Sequence, residues 1–270
     1  MGVERASQAI ILAAGRGSRM GGLTAEQPKC FTEIAGRRLL DWQMDALTEA
    51  GITSLIVLRG YRKELLSSPR FDTIDNDEWA STNMVATLRC AARRLEQAAT
   101  VVSYSDIVYH PDHVRALAAS DGDIAMTYDR QWEGLWSARF ANPLDDAETF
   151  RQEDGWLKNI GEKTTSLADI QGQYMGLLKI TPRGWASIGK LLDALTPEQV
   201  ARLDMTSLLR RLLSEGVPVR CVPVEGQWCE VDCGTDVATY QSLLAAADQA
   251  GNRWSHDWRW QGGGAAGAAG

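Results

Sequence analysis

Apolar residues follow two rhythms along this chain. Residues 8–14 (QAIILAA) form a continuous apolar run that ends in glycine-rich sequence, the pattern of a strand buried on both faces. Residues 38–50 place Leu40, Met44 and Leu47 at i, i+4 and i+7, which predicts an amphipathic helix closed by Gly51. Residues 54–59 predict a second buried strand and 71–75 a weaker third. Over 84–95, Val85, Leu88, Ala92 and Leu95 share one helical face. Residues 100–106 (TVVSYSD) and 123–129 (DIAMTYD) read as strands on either side of a helix over 112–119. Strands alternating with helices of this length predict an α/β fold built from right-handed βαβ units, with a mostly parallel sheet and helices on both faces.

From Trp132 the rhythm changes. Short strand-like pieces at 135–140, 156–160 and 173–181 alternate with polar turns and predict antiparallel additions in the second half. Helices are expected at 182–195 and 205–215, a strand at 218–224, and a last helix over 235–247 capped by Thr235 or Asp236. No repeat or linker interrupts residues 1–250, which read as one elaborated domain. Residues 251–270 form a tail of different character. Its tryptophans, Trp254, Trp258 and Trp260, are expected to dock on the protein's own surface. Its glycine–alanine end has nothing to bury and is expected to be disordered.

Composition narrows the class. With 44% hydrophobic and 23% charged residues, fibrous and wholly disordered readings are excluded. A net charge of −7 argues against a nucleic-acid partner, and no apolar run reaches the roughly 18 residues of a membrane span. Five irregularly spaced cysteines (Cys30, Cys90, Cys221, Cys229 and Cys233) form no C-x-x-C pair and read as free thiols. With no signal-peptide pattern at the start, they point to a reducing cytoplasm. His110 and His113 flank a helix start and read as surface residues.

The chemistry concentrates in Leu12-Ala13-Ala14-Gly15-Arg16-Gly17-Ser18-Arg19-Met20, followed by Pro28-Lys29. A buried strand runs straight into a glycine-rich loop, where several N–H groups can turn toward one anion. Arg16, Arg19 and Lys29 add positive charge to an acidic chain, at the strand end where open α/β sheets bind ligands. Neither the Walker loop nor the dinucleotide fingerprint is present. As a loop residue, Lys29 is expected to matter for phosphate binding and not for folding.

This string resembles the signature of the nucleotidyltransferase superfamily, which makes nucleotide sugars and CDP- or CMP-linked small molecules. The likeness runs from about Gln8 to Leu244. It implies a Rossmann-like fold in which Leu12 to Arg19, with Ser105, surround an NTP, and in which Arg19 and Lys29 contact phosphates. Asp106 at the end of TVVSYSD and Asp232 after Glu-Val resemble the family's two metal-binding aspartates, which implies Mg²⁺; Ser105 stands where glycine is more usual. Two strand-end carboxylates plus phosphate oxygens suit that ion. Glu230, two residues before Asp232, is a further carboxylate. Asn76, Thr82, Asn83, Thr87 and Leu88 resemble a segment of the branch that holds choline-phosphate and phosphonate cytidylyltransferases, and the stretches from Gly161 to Lys163 and from Gly172 to Ile180 fit it. Thr82 and Asn83 can equally cap the following helix.

The expectation is a cytidylyltransferase that uses CTP and a small phosphate or phosphonate acceptor, without a covalent intermediate. Lys163 is the candidate for the acceptor's phosphoryl oxygens, with Arg130 and Lys179 behind it. Tyr128, Asp129, Trp132 and Trp136 could form a pocket for an ammonium group. A homodimer is compatible with the sequence. The rivals are a sugar-1-phosphate nucleotidyltransferase and a non-catalytic nucleotide-binding subunit. The complete set of Arg19, Lys29, Asp106 and Asp232 argues against the latter.

Overall fold

The protein is described by a computed structural model over residues 4–260. Among these residues nine strands form one sheet, in the spatial order Asp72–Asp75, Ser54–Arg59, Gln8–Ala13, Thr100–Tyr104, Gln173–Ile180, Ile124–Asp129, Arg220–Val224, Trp156–Ile160 and Phe150–Glu153. The first four run parallel, as the strand–helix alternation predicts. Gln173–Ile180 lies antiparallel to both of its neighbours, and Trp156–Ile160 is antiparallel to both of its own. The fold is thus α/β with antiparallel additions from the second half of the chain.

The unbroken apolar run of the first strand has a direct cause, since both of its faces are covered. Ala9, Ile11 and Ala13 join one core with Leu39 and Leu47 of helix Leu39–Glu49, Val114 and Leu117 of Pro111–Ala118, and Tyr240 and Leu244 of Gly234–Gln249. Ile10 and Leu12 join the other with Val85 and Leu88 of Met84–Arg89, Trp185 and Ile188 of Pro182–Asp193, and Leu208 and Leu209 of Met205–Ser214. Each fully buried isoleucine or leucine contributes roughly 1.5–3 kcal/mol.

The structure departs from the sequence expectations in several places. Residues 135–140 are not a strand. Helix Trp132–Arg139 buries Trp132, Leu135 and Trp136 at i, i+3 and i+4, a helical period inside a short apolar stretch. The helix expected over 84–95 breaks into Met84–Arg89 and Ala92–Leu95, with Ala91 at φ −95°, ψ 17° between them. The final helix is capped by Cys233, and Asp236 completes the box by accepting the Cys233 N–H at 3.0 Å. His113 is buried, not on the surface, whereas the His110 side chain accepts the Asp112 N–H at the helix start. All five cysteines are free.

The tail docks on the body as expected. Trp258 is fully buried, edge-on to Trp42 with ring centroids 6.1 Å apart, and Trp260 packs on the same indole at 5.7 Å. The glycine–alanine end expected to be disordered lies outside the described residues.

A small ribbon unseen in the sequence decides where the chemistry sits. Ile107–Tyr109 pairs antiparallel with Trp228–Glu230, with Ile107 opposite Glu230. One step beyond, the Val231 N–H donates to the Asp106 carbonyl at 2.8 Å. This register carries Asp106 and Asp232, far apart in sequence, to one point beside the loop that follows the first strand.

Candidate active site

The glycine-rich loop leaves the strand at Ala14 and turns at Gly17, whose φ is +68°. A Cβ there would lie 2.7–2.9 Å from Lys29 side-chain carbons, so glycine is what lets the lysine pass beneath the loop. Thr24 Oγ1 donates to the Gly17 carbonyl at 3.0 Å and ties the turn down. Lys29 is 7% exposed, which corrects the expectation of a loop lysine without structural weight. Its Nζ donates to Asp106 Oδ2 at 2.7 Å and Asp232 Oδ1 at 2.9 Å. Burial pulls the ammonium pKa down, but the two carboxylates outweigh it and hold it above the ordinary range. Arg19 forms an ion pair with the other Asp232 oxygen, from a side chain 74% exposed.

Asp232 is positioned from behind. Asp236 Oδ2 accepts its N–H at 2.7 Å, and the buried Arg139 bridges Asp236 and Glu230 at 3.1 Å each. Asp106, Glu230 and Asp232 offer carboxylate oxygens within 4.8 Å of one another. Its interior position raises the Glu230 carboxyl pKa; Arg139 opposes the rise, and Asp106 and Asp232 add to it. Asp106 Oδ1 is buried with no hydrogen-bond partner among the described residues. A set of hard oxygen donors with one orphaned oxygen fits Mg²⁺.

Above this cluster lies a cleft of about 270 Å³. Leu12, Ala14, Gly15, Gly17, Ser18, Arg19 and Lys29 line it together with Thr82, Asn83, Ser105, Asp106 and Asp232. Two of the loop residues expected here do not line it. Ala13 packs into the core, and the Arg16 guanidinium lies over the Tyr61 ring at 5.6 Å. Trp79, Met84, Thr87 and Tyr104 line it unanticipated, although three of them fall inside or beside the Asn76–Thr87 motif. The helix-cap reading of that motif holds at Asn83. Asn83 accepts the Met84 N–H as helix cap at 2.8 Å, and Asn76 Nδ2 donates to Thr82 and Thr87 hydroxyls at 3.0 and 2.9 Å.

A second cavity of about 460 Å³ shares Arg19, Met84, Tyr104 and Asp232 with the first. Of the four residues expected to hold an ammonium group, Trp136 lines it and the rest do not. Asp129 is fully buried and structural. It accepts the Gly226 N–H at 2.8 Å and Trp228 Nε1 at 2.9 Å, and His256 Nε2 lies 3.0 Å away. Tyr128 stacks on Phe150 at 4.6 Å, and Trp132 packs edge-on to Trp136. Lys163 stays exposed and donates to the Asp146 carbonyl at 3.0 Å; it does not line the cavity, although Asp146 and Gly161 do. Its two substitutes are engaged elsewhere, Arg130 with Glu225 and the buried Lys179 with the Ser120 carbonyl. The cations that do line the cavity are Arg19 and Arg210, beside Asp146, Glu148, Asp204, Glu230 and Asp232.

Residues 9–168 match a family described as the MobA-like NTP transferase domain. The chain is 34% identical over 245 residues to the CTP:phosphoglutamine cytidylyltransferase of Campylobacter jejuni, covering 85% of this chain and 97% of that protein. It is 32% identical over 113 residues to the 2-aminoethylphosphonate cytidylyltransferase of Lancefieldella rimae, 40% of this chain and 46% of that one. Among solved structures, the CTP:phosphocholine cytidylyltransferase of Streptococcus pneumoniae superposes with a TM-score of 0.69 at 20% identity, over 88% of this chain and 99% of that one. The inositol-1-phosphate CTP transferase of T. maritima gives 0.70 at 16%, over 93% and 99%. No helix among the described residues is long and apolar enough to cross a membrane.

Proposed function

The chain belongs to the MobA-like NTP transferase family and is a nucleotidyltransferase, and on that premise we propose that it transfers CMP from CTP to a small phosphate or phosphonate acceptor. The observation that carries this reading is the junction of two cavities at one charged cluster, Arg19, Lys29, Asp106 and Asp232. The loop-side cleft is of a size and lining for a nucleotide, and the second cavity for an acceptor. The names of the relatives support cytidine as the base.

An ionised oxygen of the acceptor attacks the α-phosphorus of CTP, the α–β bridging bond breaks, and pyrophosphate departs with the electron pair. Such an oxygen is already deprotonated at neutral pH, so no general base is required. Catalysis is then orientation and charge neutralisation. The exposed Arg19 is free to leave Asp232 for the triphosphate, while Lys29 stays under the loop and holds the two carboxylates in place. Asp106 and Asp232, with Glu230 in reach, would hold Mg²⁺, which supplies neutralisation of phosphate charge.

The test is pyrophosphate release from each of four NTPs, with Mg²⁺ or with EDTA. The acceptors are phosphocholine, 2-aminoethylphosphonate, simple phosphonates and sugar-1-phosphates. CTP is expected to be turned over with a non-sugar acceptor, and only with the metal present. UTP exceeding CTP would overturn the base assignment, and full activity in EDTA would remove the ion.

A further inference from the structure

On the cytidylyltransferase reading, we propose that the acceptor's organic end is a zwitterion of the α-amino-acid type, with Arg210 meeting its carboxylate and Glu148 its ammonium. Both residues line the second cavity and neither lines the nucleotide cleft, so they belong to the acceptor's side of the site. They influence one another electrostatically, yet they form no ion pair with each other. Among the described residues the Glu148 carboxylate has no hydrogen-bond or ion-pair partner, and neither has the Arg210 guanidinium.

This arrangement is specific in charge. Glu148 is half-buried, and its carboxyl pKa is raised by burial, with Asp204 and Asp146 adding to the effect and Lys163 and Arg210 opposing it. A partly desolvated carboxylate without a partner is costly, and a bound ammonium relieves that cost. A choline or aminoalkyl group alone would satisfy Glu148 and leave Arg210 facing a like charge. A sugar would satisfy neither. A head group with both charges pairs both side chains at once.

A matched set of phosphonates tests this. 2-Amino-4-phosphonobutyrate carries both charges, 3-aminopropylphosphonate lacks the carboxylate, and 4-phosphonobutyrate lacks the amine. With CTP and Mg²⁺, the wild-type protein should prefer the first by about tenfold or more in kcat/KM over either of the others. Arg210→Ala, at an exposed side chain, should cost about tenfold or more with the two carboxylate-bearing acceptors and leave 3-aminopropylphosphonate within about twofold. Glu148→Gln should give the mirror image, sparing 4-phosphonobutyrate. Equal use of the three by the wild type, or equal losses across the set in the variants, overturns the proposal while leaving the cytidylyltransferase reading intact. If CTP is not used with any acceptor, phosphocholine and 2-aminoethylphosphonate included, that reading falls and the head-group assignment falls with it.

Discussion

Lys29 illustrates at the scale of one residue how the site is held before any ligand arrives. Two carboxylates this close repel each other unless a cation lies between them, and the Lys29 ammonium bridges Asp106 and Asp232. Lys29→Ala removes that cation from a partly buried cluster, so both function and stability should suffer. A loss of one charge-assisted contact, about 1.5–3 kcal/mol, corresponds to roughly 10- to 150-fold in kcat/KM. Thermal melts should show destabilisation on the order of 2 kcal/mol. Adding Asp232→Asn to Lys29→Ala should restore part of that stability by removing the repulsion; no recovery would mean the lysine does not serve as the carboxylates' counter-ion. His113 works in the opposite sense. Burial, with His110 adding to it, lowers its pKa from 6.5 to about 4, and its Nδ1 has no hydrogen-bond partner among the described residues. Between those values the unfolded chain binds a proton that the folded chain refuses, so stability falls as pH drops through the window, by up to about 3 kcal/mol. His113→Leu should flatten the fall in urea unfolding free energy between pH 7 and pH 4.5. An unchanged slope would assign the loss to other groups.

At the scale of elements, the loop after the first strand offers a controlled pair of substitutions. Gly17 and Gly21 both have positive φ, +68° and +58°, so alanine at either carries left-handed strain of roughly 1–2 kcal/mol. Only at Gly17 would the new Cβ meet Lys29; at Gly21 nothing lies within 4 Å. Gly17→Ala should therefore raise the KM for CTP by about tenfold or more, a loss near 1.4 kcal/mol. Gly21→Ala should lose stability with the KM little changed, and equal effects would deny the loop its role in placing Lys29. This loop was legible in the sequence because a strand buried on both faces, its glycines and its cations lie within one contiguous stretch. The ribbon that joins Asp106 to Asp232 was not, since three-residue strands far apart in sequence leave no periodic signal. Residues 132–139 misled in a different way, because a short apolar stretch with two tryptophans satisfies either period. The acceptor cavity was the least legible part. Trp136, Glu148, Gln173 and Arg210 come from two helices, a strand and the loop before Phe150–Glu153, and only the packed fold brings them to one cavity. Tyr128, Asp129 and Trp132 looked like site residues by adjacency, yet strand alternation and helix packing turn them inward.

At the scale of the whole molecule, the last part of the described chain closes over the first. Trp258 fills the space against Trp42 of the first long helix, the Ser255 carbonyl accepts the Gln227 N–H at 2.8 Å, and His256 reaches Asp129. Asp129 needs these partners. Burial alone would raise its carboxyl pKa, but His256, the Gly226 N–H and Trp228 Nε1 together hold it below the usual range. Gln227 and Trp228 lead directly into the ribbon that carries Glu230 and, two residues on, Asp232, so the described part of the tail, which lines neither cavity, supports the segment that leads to the site. Two changes separate packing from bracing. Trp258→Ala deletes a fully buried indole and should cost about 3–5 kcal/mol in urea unfolding, with the KM for CTP and for the acceptor preserved. Deleting residues 252–270 removes the indole together with the Ser255 and His256 contacts and leaves Asp129 a buried carboxylate with fewer donors. Beyond the lost stability, this truncation should lower kcat/KM at temperatures where the protein remains folded, because the Trp228–Glu230 strand loses its outer support. A truncated protein that stays folded with unaltered kcat/KM would show that the tail stabilises the body and has no part in placing Asp232.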